Sequence, residues 1–223
     1  MNNVINVAID GPAGSGKSMV ARAVAQELGF IYVDTGALYR AVGVNALRLN
    51  LDTKDAQAVG ETLDKITVEL KFIDGCQHVL LNGKDVSEEI RTPAASMAAS
   101  NVSAIPAVRA FLFDLQRNIA KENSCLMDGR DIGTVVLPDA QVKIFLTAAP
   151  EKRAERRYKE LIAKGTDVKY DDVLKELIER DYNDSHREIA PLKPAEDSVL
   201  VDTTPFTRDD SIAEVIRIIK EKM

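Results

Sequence analysis

The chain has 223 residues, 45% hydrophobic and 29% charged, enough for one α/β domain or a core carrying a small inserted lobe. Its net charge of -6 weighs against a dedicated nucleic-acid binder, although a local cluster of arginines can still hold a small anionic substrate. No basic segment followed by an apolar stretch opens the chain, and no apolar run approaches about 18 residues, so neither a signal peptide nor a membrane span is expected and the cytoplasm is the default compartment.

Val4 to Ile9 reads as a short apolar strand, ending at Asp10 and a glycine-rich turn. Lys17 to Leu28 reads as a helix, because Val20, Val24 and Leu28 recur at helical spacing and Gly29 follows as a stop. Phe30 to Val33 is a second strand, and Leu38 to Leu49 a second helix. Strand, loop, helix, strand, helix predicts a parallel sheet with crossover helices. The pattern then changes. Val68 to Ile73, His78 to Leu81 and Asp85–Val86 are β-type pieces separated by the turn signals Asp74–Gly75 and Asn82–Gly83, so residues 66–90 read as a small β-rich insert. Helices are expected at 93–103 and 106–122, split by Pro106. Cys125 to Met127 and Gln141 to Thr147 are strands. Glu151 to Ala163 and Tyr170 to His186 are charged helices joined at Lys164–Gly165. Ser198 to Val201 is a last strand, and Asp209 to Lys222 a closing helix. The two cysteines, Cys76 and Cys125, have no metal or redox spacing, and Cys125 is expected to be a buried free thiol. His78 and His186 are isolated and expected at the surface or in packing roles.

The sharpest motif is Gly11-Pro12-Ala13-Gly14-Ser15-Gly16-Lys17-Ser18, a full phosphate-binding loop placed between a strand and a helix. Its glycines let backbone N–H groups turn toward phosphate oxygens, and the helix adds its positive end. Lys17 can reach the β- and γ-phosphates of ATP, and Ser18 can ligate Mg²⁺. No guanine-reading Asn-Lys-x-Asp run exists, so a GTPase is not indicated. Thr35, after Asp34, can cap the second helix and provide a second anion site with Arg40. Apolar residues ending in Asp128 resemble a metal-holding strand end, followed by Arg130 for phosphate and Asp131, an acceptor suited to an exocyclic amine. Arg180, Asp184 and Arg187 are spaced 4 and 3 apart, which places them on one helical face. Arg153, Arg156 and Arg157 form a basic cluster that reads as a lid over ATP.

On GPAGSGKS, DTGALYR at 34–40, EEIRT at 88–92, AAS at 98–100, DGRDIGTVV at 128–136, KIFLTA at 143–148 and ERDYND followed by Arg187, the sequence resembles the bacterial cytidylate kinases nearly from end to end. The resemblance implies a P-loop nucleoside-monophosphate kinase fold: a five-stranded parallel sheet flanked by helices, with a β-rich inserted lobe and a short helical lid. It implies a core of residues 1–65, 105–150 and 188–223, an acceptor-binding insert at about 66–104 and a lid at about 151–187. By similarity, Thr35, Arg40, Arg130 and Arg187 hold the acceptor phosphate, Ser100, Arg109 and Asp131 read the cytosine ring, and Arg180 and Asp184 contact the sugar. Arg153 and Arg157 are the lid residues assigned to ATP.

The expected activity is transfer of the γ-phosphoryl group of ATP to CMP or dCMP, with Mg²⁺ held by Ser18 and Asp128. Lys17, Arg130, Arg180 and Arg187 supply positive charge to the migrating group. Cytosine offers an N4 donor to Asp131, whereas uracil would turn O4 toward that carboxylate, so UMP is expected to be a poorer acceptor. A monomer acting on free nucleotides is expected, without a nucleic-acid or membrane partner. Two other readings stay open from sequence: a kinase for another small acceptor, such as UMP or a hydroxyl metabolite, and an ATP-dependent regulator of a protein partner.

Overall fold

The computed structural model describes residues 4–73, 75–163 and 165–223. Asp74 and Lys164, each the first residue of an expected turn, lie outside the described residues. The chain opens with β1 (Asn6–Asp10), α1 (Lys17–Leu28), β2 (Ile31–Asp34) and α2 (Thr35–Arg48). A short helix, α3 (Ala56–Gly60), leads to β3 (Val68–Ile73), β4 (Cys76–Leu81) and β5 (Lys84–Asp85), then to α4 (Pro93–Val102) and α5 (Pro106–Glu122). The second half adds β6 (Cys125–Gly129), a π-type turn at Ile132–Val136, β7 (Val142–Thr147), α6 (Pro150–Ala163), α7 (Tyr170–His186), β8 (Val199–Asp202) and α8 (Arg208–Lys222).

Five strands form a parallel sheet in the order β2-β6-β1-β7-β8, the expected architecture. Both faces are covered, which is why its central strands read as continuous apolar runs. Val7 and Ile9 point to one face, with Val20 and Val24 of α1 and Val215 and Ile219 of α8. Ala8 points to the other, with Val33, Met127, Ala120 of α5 and Ile132 and Val136 of the π-type turn. Leu126, Ile144 and Leu146 are fully buried, each worth roughly 1.5–3 kcal/mol of transfer free energy. No helix among the described residues is long and apolar enough to cross a membrane.

The insert is a three-stranded antiparallel sheet, β3-β4-β5. Val68, Val79 and Leu81 from it share one apolar cluster with Leu38 and Val42 of α2, Ala95 and Ala99 of α4, and Val108 and Leu112 of α5. Helices α2 and α4 meet closely at Gly43, where an added Cβ would lie 2.8 Å from Ala98 Cβ. Helices α6 and α7 pack on each other and on the phosphate loop through Leu161, Val173, Leu177, Ala154 and Ala13.

Register places the chemistry. Asp34 at the end of β2 pairs with Asp128 of β6, and Asp10 of β1 pairs with Gly129. The carboxyl ends of three adjacent strands therefore finish level, and the loops after them open into one cleft. Cys125 is buried and free, and burial pushes its thiol up to about 12.

Candidate active site

A cleft of about 980 Å³ lies above those strand ends. One wall is the phosphate loop. Gly11 must be glycine, because a Cβ there would sit 2.0 Å from the Leu146 carbonyl oxygen. Gly16 takes a left-handed conformation, φ 90°, immediately before α1, so the helix N–H groups open onto the cleft. Lys17 is buried; its Nζ donates to Pro12 O at 2.7 Å and to Ser15 Oγ at 3.3 Å. Burial and then Arg130 lower its pKa to about 7.

The floor is built from oxygen donors. Ser18 Oγ donates to Asp128 Oδ2 at 2.8 Å, and Tyr32 Oη donates to Asp128 Oδ1 at 3.0 Å. Burial, and Asp34 nearby, raise Asp128 to about 6. A hydroxyl and a carboxylate side by side are the hard donor set that Mg²⁺ takes from a protein, with phosphates completing its shell, so the residues present fit that ion. Among the described residues no group of three or more His, Cys, Asp or Glu forms a self-sufficient metal cage.

The second wall is cationic. Arg130 Nε donates to Asp184 Oδ2 at 2.7 Å. Burial opposes ionisation of Asp184, but Arg130 and Arg180 overcome it and hold the carboxyl below its ordinary value. Burial, and then Arg130, lower Arg180 to about 10. Arg180 Nε and Arg40 Nε are both buried without a hydrogen-bond partner. An orphaned guanidinium N–H lining a cleft is a donor awaiting an anion. Deeper still, Asp131 is gripped from both sides: Arg109 Nη2 donates to Oδ2, and Arg187 Nη2 to Oδ1 at 3.1 Å.

Most residues expected from sequence line the same cleft: Ala13 to Ser18, Thr35, Arg40, Ser100, Arg109, Asp128, Arg130, Asp131, Arg157, Arg180, Asp184 and Arg187. Gly11 and Pro12, the first two residues of the loop, do not line it. Arg153 does not line the cleft either. It is 3% exposed, and its guanidinium donates to Ala13 O and Ala148 O, both at 2.8 Å, and pairs with Asp181 at 2.6 Å. Its charge is thus committed to protein partners, so it braces the loop instead of standing over ATP. Arg156 is turned to Thr203, with Nη2 donating to Thr203 O at 2.8 Å.

Two local expectations are corrected. Thr35 does not cap α2. Asp34 does, its Oδ1 accepting from Ala37 N at 3.0 Å, while Thr35 Oγ1 donates to Asp128 O at 2.8 Å. Asp is as strong a cap as any residue, and the helix therefore starts at Thr35, ahead of the expected Leu38. Arg187 is not on the face of α7. The helix ends at His186, and Arg187 is extended at φ -65°, ψ 143°, which turns its side chain toward Ser103 and Asp131.

Several residues around the site carried no sequence signal. Asp10 accepts from Ile132 N at 2.8 Å and Gly133 N at 2.7 Å, tying the root of the phosphate loop to the segment after Asp131. Ser103, Tyr32, Tyr39 and Asp181 are others. Only Asp34 had a signal that could have been read, a strand-terminal carboxylate before a helix.

The profile of the family described as cytidylate kinase matches residues 7–221. The cytidylate kinase of Carboxydothermus hydrogenoformans is 50% identical over 218 residues, 98% of each chain. That of Caldicellulosiruptor saccharolyticus is 48% identical over 214 residues, 96% of this chain and 95% of the relative. Among solved structures, an uncharacterized protein from Eubacterium ventriosum has a TM-score of 0.54 at 14% identity, over 97% of this chain and 98% of its own, a likeness of fold alone. With a match that runs almost from end to end at about half identity, the chain belongs to the cytidylate kinase family.

Proposed function

We propose that this chain transfers the γ-phosphoryl group of ATP to CMP and dCMP, giving CDP and dCDP. The observation that carries the reading is the cleft itself: a phosphate loop on one wall and, on the other, arginines grouped around a carboxylate fixed by Arg109 and Arg187. The relatives' name supports the same reaction.

In this reading the loop amides and Lys17 hold the β- and γ-phosphates, and Arg157 flanks ATP. Ser18 and Asp128 would hold Mg²⁺, which supplies Lewis-acid neutralisation of phosphate charge when bound. Thr35, Arg40, Arg130 and Arg187 take the acceptor phosphate. Asp131 accepts from the cytosine N4 amine, with Ser100 and Arg109 as donors, and Arg180 with Asp184 meets the sugar. The attacking phosphate oxygen is already anionic, so no side chain is needed as general base. The buried guanidiniums instead stabilise charge as it spreads over the transferred group, where low dielectric strengthens each contact. The acceptor lobe is assigned to 66–104 and the lid to 151–187, and the enzyme acts as a monomer on free nucleotides.

ADP release measured against a panel of nucleoside monophosphates and small hydroxyl metabolites tests the reading. CMP and dCMP should turn over, and UMP should do so far less well. Equal turnover of UMP, or ATP hydrolysis that CMP leaves unchanged, would overturn it.

A further inference from the structure

We propose that Gln77, in the β insert, is a positioning residue for the acceptor side of the cleft, acting through Asp34 and Arg40. This rests on the acceptor assignment made above for Arg40.

The observation is a paired contact between two parts of the chain that are 43 residues apart. Asp34 N donates to Gln77 Oε1 at 2.8 Å, and Gln77 Nε2 donates to Asp34 O at 3.2 Å. A primary amide here satisfies both backbone groups of one residue, as a neighbouring strand would. It does so where no strand lies: β2 is the outermost strand of the parallel sheet, and Asp34 is its last residue. Gln77 sits on β4, opposite Phe72 of β3, so the insert's own ladder fixes where its side chain starts.

Asp34 is then held at every polar atom. Its backbone is taken by Gln77, its Oδ1 caps α2 through Ala37 N at 3.0 Å, and its Oδ2 pairs with Arg40 Nη2 at 2.6 Å. Arg40 lines the cleft and keeps its Nε buried without a protein partner. There is little slack around it. A Cβ at Gly36 would lie 3.2 Å from both Arg40 Nη1 and Asp34 Oδ1. The chain of contacts therefore runs from the insert, through a backbone clamp on Asp34, to the aim of one guanidinium that faces the acceptor. Loosening the clamp leaves Arg40 present but less well aimed, and a displaced cation weakens binding of the anion it serves more than it affects the remote phosphate loop.

Two variants separate positioning from simple support of the fold. Gln77→Met keeps the length and volume and removes both hydrogen bonds. Gln77→Glu keeps an acceptor for Asp34 N and loses the donor to Asp34 O. Steady-state kinetics with CMP and ATP varied separately, calorimetric binding of CMP alone and thermal melts should be read together. For Gln77→Met, the KM and Kd for CMP should rise about 3- to 10-fold, the factor given by losing one net hydrogen bond, with KM for ATP within about twofold. Gln77→Glu should also weaken CMP more than ATP. In an Arg40→Lys background, Gln77→Met should cost CMP binding little more, because both changes act on one contact. A lower melting temperature with unchanged KM for CMP would overturn the inference, as would equal losses toward both nucleotides or full additivity with Arg40→Lys. If the unaltered chain fails to bind or phosphorylate CMP, the acceptor assignment itself has failed, a result distinct from any of these.

Discussion

Arg153 Nη1 donates to the carbonyl oxygen of Ala13 at 2.8 Å, so the first turn of α6 holds the phosphate loop from behind. Asp181 of α7 closes the same knot, pairing with Arg153 at 2.6 Å and accepting from Ala13 N at 3.3 Å. Arg153→Ala should destabilise the protein by about 3–5 kcal/mol, since it strands a half-buried carboxylate and frees two carbonyls. KM for ATP should rise although the side chain does not line the cleft. Melting curves and ATP kinetics check this, and an unaltered KM for ATP would detach the brace from loop geometry.

The triad Arg109–Asp131–Arg187 gives a specificity prediction. Asp131→Asn removes the charge that two buried guanidiniums share. Stability should fall by about 3–5 kcal/mol. Turnover of CMP should drop, and the CMP-to-UMP ratio of kcat/KM should narrow by about tenfold or more, because an amide can donate to uracil O4. A ratio that stays put would remove Asp131 from base reading.

Asp10 predicts a pH effect. Burial raises its carboxyl to about 6, against the pull of hydrogen bonds from Gly133 and Ile132. A raised pKa means the folded chain binds this proton more tightly than the unfolded chain does. The associated stability is present below about pH 4 and is lost as pH rises through about 6. Asp10→Asn carries no such drift. Melts across this range should show the native protein's margin over Asp10→Asn shrinking with rising pH, by up to roughly 3 kcal/mol. A margin independent of pH would contradict the buried-carboxylate account.

Gly43→Ala tests the seam between α2 and α4. Alanine gains about 1 kcal/mol of helix propensity, but its Cβ would lie 2.8 Å from Ala98 Cβ. Overpacking of this kind costs about 1–3 kcal/mol, so a net loss is expected. Because α4 carries Ser100, which lines the cleft and is proposed to meet the base, KM for CMP should rise as well. Ala98→Gly in the same chain should recover much of both losses.

Much of this architecture was legible in sequence. The spacing of Val20 and Val24, the prolines at 93 and 106 and the Gly29 stop place helices almost to the residue. The phosphate loop was legible because its function is local: consecutive glycines, one lysine and one hydroxyl. What escaped was set by distance. Helix α3 has five residues, too few for a period to appear. Arg153, Arg156 and Arg157 look alike on one turn, and only the arrival of Ala13 and Asp181 from elsewhere makes the first of them internal. Tyr32 meets Asp128 across 96 residues, and Asp10 meets Gly133 across 123. No window along the chain holds both members of such pairs.

Both oxygens of Asp131 are spoken for by cations before any nucleotide arrives. In the base-reading role proposed for it, a carboxylate moored on two sides has no spare rotamer with which to make room for a mismatched ring, so discrimination becomes a matter of rigidity. Retuning this cleft to another pyrimidine is therefore a coordinated three-residue exchange, and single substitutions along that route should pass through poorly folded intermediates.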